Sequence, residues 1–243
     1  MKGRYLADLF SGVGGVAKAT RAQGFAAKEW ELLHGPDYDL TRPVVVDRIL
    51  QDIKGKQILA VMLAPPCSSW SVARDRTAVI RTPQEPWGIS GFVSSKDADK
   101  INIGNLTLRS ALRVARMCLR HSVPFILENP ATSKMFYTPE LQRIQHHASV
   151  TTVVADFCQY GAKWRKATNF LTGFIDPCDL ARISKRCCAR GGLCSASGRK
   201  HLQLTGTAPG GRPWTAVAQP YPVKLNHALV HCLLSSERAK HAF

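Results

Sequence analysis

The sharpest chemical feature of the sequence is a cysteine directly behind two prolines, Pro65-Pro66-Cys67. Proline cannot donate to a β ladder, so an apolar strand over residues 58–64 ends there and leaves Cys67 at the mouth of a sheet. A cysteine so placed is a candidate nucleophile once its thiolate is favoured. Its plainer alternative is a small buried apolar residue. A second strand end carries an acid: three apolar residues lead into Glu128-Asn129-Pro130. Partial desolvation raises a carboxyl pKa, so Glu128 can hold or share a proton near neutrality, or else serve as a structural contact for the next loop. A nucleophile and a proton-carrying acid at neighbouring strand ends suit attack on a ring whose nitrogen must be protonated.

Other residues point to a bound nucleoside. Asp8-Leu9-Phe10-Ser11-Gly12-Val13-Gly14-Gly15 reads as a strand end turning tightly into a helix, where glycines let a ligand approach backbone N–H groups. The spacing departs from the dinucleotide fingerprint, and no lysine sits where a P-loop needs one. Glu29 and Glu31 follow on the next strand, where an acid can take ribose hydroxyls or simply face water. Asp39 can bind an adenine amino group or cap the helix beginning near Pro43. Zinc deaminase chemistry is disfavoured: Pro66-Cys67-Ser68-Ser69-Trp70 lacks the second cysteine and His34-Gly35-Pro36 lacks the glutamate. Arg74, Arg76 and Arg81 follow Cys67 and are candidates for phosphate contact.

A third group is Cys178, Cys187, Cys188, Cys194 and His201, all within one short basic, Gly-rich stretch. Thiolates with one imidazole suit a structural zinc that gives shape to a segment with little core. The preferred set is Cys178, Cys187, Cys194 and His201, with Cys188 as substitute for Cys187. Unligated thiols and a disulfide are the alternatives.

The elements that must position these residues alternate. Strands are predicted over residues 4–10, 25–32, 58–64, 125–127 and 151–157, and helices over 16–23, 43–51, 106–119 and 222–240. Residues 68–104 read as a polar loop or lid. Strand and helix in alternation predict an α/β sheet with helices on both faces, which binds ligands beyond the carboxyl ends of its strands. Leu225, Leu229, Cys232 and Leu233 make one stripe of the last helix. Arg109, Arg113, Arg116 and Arg120 read as a solvated face, with a nucleic-acid contact as the alternative. The chain has 243 residues, 45% of them hydrophobic, enough for a sizeable core. Its 33 Lys and Arg against 17 Asp and Glu give +16, which favours a polyanion such as nucleic acid. No apolar run is long enough to span a bilayer, and the N-terminus has no apolar leader. An intracellular protein of the nucleus or cytoplasm, not secreted and acting as a monomer, is expected.

Taken in order, the motifs resemble those of the cytosine-5 methyltransferase family over roughly residues 5–170. The glycine loop resembles its adenosylmethionine motif, Pro65-Pro66-Cys67 with Ser71 its nucleophile motif, and Glu128-Asn129-Pro130 its Glu-Asn-Val motif. Asp39-Leu40 resembles the pair near the adenine, and Glu31 is the better match for the ribose-binding acid. The resemblance implies a class I methyltransferase-like mixed sheet with helices on both faces and a small recognition insert. It implies S-adenosylmethionine held by Asp8, Phe10, Gly12, Gly14, Gly15, Glu31, Asp39 and Pro65. It implies C5 methylation of a flipped-out cytosine in DNA, through a covalent bond from Cys67 to C6, with Glu128 at N3 and the exocyclic amine. RNA is the nearest alternative substrate, and a nucleic-acid-binding relative without activity is the other alternative.

Three departures matter. Trp164 replaces the glutamine of the family's Gln-x-Arg-x-Arg motif. Arg165 is chosen for contact with the flipped base or its phosphate, although by strict register Lys166 takes the place of the first arginine. The recognition region is very short. No Gly-Asn motif precedes the last helix, where Tyr221-Pro222 replaces it. The expected organisation is a catalytic part over residues 1–174, an insert over 175–212 and a returning helix in 213–243.

Overall fold

The computed structural model describes residues 3–91 and 93–241. Six strands, β1 (Tyr5–Leu9), β2 (Ala26–Trp30), β3 (Ile58–Leu63), β4 (Phe125–Pro130), β5 (Val150–Asp156) and β6 (Ala167–Gly173), form one sheet. Their order is β2-β1-β3-β4-β6-β5. The first four run parallel, and β6 lies antiparallel between β4 and β5. The helices are α1 (Gly15–Arg21), α2 (Pro43–Lys54), α3 (Ser95–His121), α4 (Pro139–Gln145), α5 (Pro177–Leu180), α6 (Trp214–Val217) and α7 (Val223–His241). The result is an α/β fold with a mixed sheet and helices on both faces.

The apolar runs of β1, β3 and β4 are buried from end to end because both faces of the sheet are covered. On one side Leu9, Val61, Leu63 and Leu127 meet Val46 and Ile49 of α2, Leu108 and Leu112 of α3, and Leu141 of α4. On the other, Leu6, Met62 and Ile126 meet Val16 of α1 and Leu225, Leu229 and Leu233 of α7. Each of those α7 leucines is at most 1% exposed, and burying one stabilises by about 1.5–3 kcal/mol. The predicted stripe of α7 therefore anchors the C-terminal helix against α1 and β3.

Two elements differ from expectation. Helix α3 starts at Ser95, eleven residues before the predicted start at 106, because Ser94 caps it by accepting from Asp97 N at 3.2 Å. Its first turns carry too few apolar residues to show a stripe. The predicted lid is therefore shorter and contains a 3-10 turn at Val72–Arg76. Strand β6 is not among the predicted elements, because Ala167-Thr168-Asn169-Phe170 shows neither an apolar run nor a clean alternation. Among the described residues no helix is long and apolar enough to cross a membrane.

Candidate functional site

The parallel strands bring their carboxyl ends to one edge of the sheet, and a cavity of about 610 Å³ opens there. Its wall begins at β1. Asp8 is buried, and its carboxylate accepts from Ala17 N at 3.0 Å, capping a helix whose own N-cap, Gly14, has no side chain to do so. Burial pushes the Asp8 carboxyl up to about 8. Phe10 then takes a left-handed backbone (φ 59°), which turns the chain sharply out of the strand. The left-handed backbone at Gly14 (φ 67°) favours glycine, and a Cβ there would push the Glu29 carboxylate aside. Gly12 N donates to Glu31 Oε2 at 2.8 Å, joining the glycine loop to the end of β2.

Of the residues expected at the cofactor, Asp8, Phe10, Gly12, Gly15, Glu31, Asp39 and Pro65 line this cavity. Gly14 stands behind the lining, against Glu29, which pairs with Arg21 at 2.8 Å. Asp39 accepts from Thr41 N and Oγ1 at 2.9 and 2.7 Å, a local turn instead of a cap on α2. Ser11 Oγ is buried with no hydrogen-bond partner among the described residues.

Cys67 lies half-buried in the same cavity, on the loop that leaves β3. That loop is held from beneath by Arg81. The Arg81 guanidinium donates to Ser69 O (3.1 Å), Ser69 Oγ (3.2 Å), Pro86 O (2.7 Å), Ile101 O (3.0 Å) and Asn105 Oδ1 (2.8 Å). It also stacks 3.6 Å from the Trp70 ring. Arg81 is 0% exposed, so of the three arginines expected to meet phosphate this one instead builds the Cys67 loop. Arg74 is likewise taken up by an ion pair with Asp97. Gly104 lets α3 close on the loop, since a Cβ there would come within 2.9 Å of Arg81 Nη2 and overlap Ser69.

Glu128 enters the cavity from the end of β4 and is 6% exposed. Tyr221 Oη donates to its Oε2 at 2.9 Å, while Oε1 has no partner among the described residues. Burial pushes the carboxyl above the usual range, with Lys166 and the Tyr221 hydroxyl pulling the other way. Burial also pushes the Cys67 thiol up, and Lys166 opposes this. Asn129 Nδ2 donates to Pro65 O at 2.8 Å and ties the two strand ends together. Tyr221 thus supplies a contact to Glu128 that its place before the last helix did not reveal.

Arg165 is placed differently. Its guanidinium donates to Asp156 Oδ1 at 3.1 Å, and the residue is not part of the cavity lining. Lys166, its neighbour, faces the cavity and sits 4.6 Å from the Phe157 ring centroid. Of the two neighbouring cations, Lys166, the one favoured by strict register, lines the cavity and Arg165 does not.

The cysteine cluster is also rearranged. Cys158, Cys187, Cys194 and His201 bring their ligand atoms within 4.8 Å of one another, a Cys3His set that could coordinate a structural metal. Cys178, expected in that set, is exposed on α5, where its backbone N–H donates to Asp176 Oδ1. Cys188 is exposed and outside the set. Cys158 lies 29 residues before Cys187, outside the short Cys-containing stretch, so sequence spacing does not point to it.

No protein-family model matches the sequence, and no curated protein matches it. Solved structures do. The methyltransferase EhMeth of Entamoeba histolytica superimposes with a TM-score of 0.50 at 10% identity, over 98% of this chain and 99% of that one. The chain has a methyltransferase-like fold. A prophage-encoded Escherichia coli protein assigned as a DNA modification methyltransferase is similar over 85% of this chain and 56% of its own, with 15% identity and a TM-score of 0.42. The Dnmt2 methyltransferase of S. pombe is similar over 77% of this chain and 57% of its own, with 12% identity and a TM-score of 0.42.

Proposed function

We propose that the protein is an S-adenosylmethionine-dependent methyltransferase acting on C5 of cytosine in nucleic acid, with DNA as the substrate, through a covalent adduct on Cys67. The observation that carries this reading is that one cavity takes in the glycine loop, Glu31, Asp39, Cys67, Glu128 and Lys166. Its volume of about 610 Å³ falls in the range of ligand sites, roughly 300–1,000 Å³. The polar groups present are compatible with the cofactor: Ser11 Oγ is buried at the loop without a partner among the described residues, and Glu31 and Asp39 line the same cavity, where they would take the ribose hydroxyls and the adenine amine. When bound, S-adenosylmethionine supplies an electrophilic methyl group.

The remaining steps belong to the protein. Lys166 favours the Cys67 thiolate, which adds to C6 of the base. Glu128, raised by burial, gives a proton to N3, and its unpartnered Oε1 is free for the base edge. The electron pair gathers at C5, which becomes the site of methylation. Transfer of the C5 proton to solvent then re-forms the C5–C6 double bond as the C6–sulfur bond breaks, releasing the Cys67 thiolate, and the N3 proton returns to Glu128. The formal charge of +16 suits a polyanionic substrate. Residues 175–212 would serve as the target-recognition insert on a catalytic part of residues 1–174, with 213–243 closing the site.

The test is trapping with 5-fluorocytosine, whose fluorine cannot leave as a proton does. DNA and RNA oligonucleotides carrying it are incubated with protein and cofactor, and the adduct is mapped by mass spectrometry. The expected result is a DNA adduct on Cys67 that Cys67→Ser fails to form. An adduct on RNA alone would reassign the substrate. Full methyl transfer by Cys67→Ser, or an adduct on another cysteine, would refute the mechanism.

A further inference from the structure

Away from the cavity, three cysteines and a histidine are gathered without any role in the chemistry above. Cys158 lies in a 3-10 turn, Phe157–Tyr160, directly after β5. Cys187, Cys194 and His201 come from the insert. The three sulfurs and the imidazole nitrogen all lie within 4.8 Å of one another, and Cys187 Sγ is 3.7 Å from His201 Nε2. A tetrahedral zinc with bonds of about 2.3 Å to sulfur and 2.0 Å to nitrogen sets a sulfur–nitrogen separation of about 3.6 Å. All three thiols are free, so no disulfide accounts for their meeting. They form an apolar cluster of their own, against which Ala189 is the only partly buried apolar residue packed among the described residues, far too little to hold a loop by burial.

The surroundings suit thiolates. Ser195 N and Oγ approach Cys187 Sγ at 3.4 and 3.5 Å, and Gln159 Nε2 approaches Cys158 Sγ at 3.6 Å. Asp156, 0% exposed at the end of β5, accepts from Cys187 N at 2.8 Å and from Arg165 and Arg186 at 3.1 and 3.0 Å, fixing the ligand backbone from behind. A turn closed by Cys194 N to Arg199 O (2.8 Å) and Gly198 N to Cys194 O (2.8 Å) delivers His201 to the same point.

We propose that Cys158, Cys187, Cys194 and His201 bind one structural zinc, which staples the insert to the end of β5. Four protein ligands leave no open position, as in sites that hold shape and do no chemistry. The staple has a mechanical consequence. Beyond His201, Leu202 N donates to Lys163 O at 2.9 Å, and the chain then runs on to Arg212, Ala216 and Gln219, which line the cavity. The metal thus fixes the start of the segment that forms one wall of the site and braces the turn that carries Lys166. The proposal does not depend on which reaction the cavity performs.

The test measures metal, not activity. Protein purified without added metal is dialysed against a mild chelator, and zinc is determined by elemental analysis. One equivalent is expected in the wild-type protein and in Cys178→Ser, and a loss of most of it in Cys158→Ser. Should Cys158→Ser fail to fold, the wild-type protein decides by maleimide labelling and peptide mapping. Cys178 and Cys188 should label at once, whereas Cys158, Cys187 and Cys194 should label only after a strong chelator removes the metal. Folded protein free of zinc, zinc retained in Cys158→Ser, zinc lost in Cys178→Ser, or labelling of the three ligands before chelation would overturn the proposal.

Discussion

Replacing Tyr221 by phenylalanine removes one hydroxyl and leaves the ring packed edge-on against Phe157, with centroids 5.9 Å apart. The hydroxyl donates to Glu128 Oε2 at 2.9 Å, and the carboxylate is 6% exposed, so water cannot readily replace it. A hydrogen bond to a charged group contributes about 1.5–3 kcal/mol. Its loss therefore lifts the Glu128 carboxyl further above a level that burial already raises. The sign follows from the bond: the hydroxyl stabilises the ionised form, so removing it lets Glu128 hold its proton to higher pH. The orientation of Oε1, which has no other tether, is lost with it. We expect kcat/KM for methyl transfer in Tyr221→Phe to fall about 10- to 100-fold. The flank of its pH profile set by Glu128 should move to higher pH. Steady-state assays between pH 5 and 9 with tritiated cofactor measure both. A packing role alone would lower activity without moving either flank. An unmoved flank, or one moved to lower pH, refutes the view that Tyr221 acts through Glu128.

Lys166→Ala should lower the rate of methyl transfer by removing the charge that favours the Cys67 thiolate. Arg165→Ala should leave the rate within about twofold, since Asp156 keeps Arg186 and Cys187 N and a half-exposed pair contributes about 0–1 kcal/mol. Equal losses in a paired rate measurement would refute that division. Gly104→Ala should destabilise by about 1–3 kcal/mol in urea unfolding, because the added methyl meets Ser69 and Arg81 beneath the Cys67 loop. Asp8 has a folded-state pKa of about 8, above its ordinary value of 3.8, so its contribution to stability is complete below about pH 4 and is lost as pH rises towards 8. Asp8→Asn keeps an acceptor for Ala17 N and should show a shallower fall in unfolding free energy from pH 5 to 8. An unchanged slope would contradict the assignment.

What was legible in the sequence was set locally. Pro65 and Pro66 end β3, and the run of residues 125–127 ends in Glu128, so Cys67 and Glu128 could both be placed at strand ends without knowing the sheet. Parallel pairing of β1, β3 and β4 then puts those ends on one edge. The illegible parts depend on contacts between distant residues. Tyr221 meets Glu128 across 93 positions, and Cys158 joins a cluster that begins 29 positions later. Arg81 followed the nucleophile in a basic run that looked made for phosphate, yet Ser69, Pro86, Ile101 and Asn105 supply enough acceptors to bury it.

The exchange of Arg165 for Lys166 has a physical cause in the strand that was missed. Successive side chains approaching a strand point to opposite sides, so a shift of one residue decides which of two neighbouring cations faces the base. Strand β6 begins at Ala167 and pairs with β4 through Pro130↔Thr168 and Glu128↔Phe170. That register carries Lys166 to the side of Glu128 and Cys67. Arg165 is turned towards Asp156, a carboxylate at 0% exposure that needs cationic partners. Asp156 also holds the backbone N–H of Cys187, so the same carboxylate fixes Arg165 away from the cavity and sets a ligand of the Cys3His cluster. The position of the cation that lines the cavity and the placement of Cys187 are therefore coupled through one buried side chain. Asp156→Asn should disturb both: zinc content and the rate of methyl transfer should fall together. Loss of one without the other would show that the two are independent.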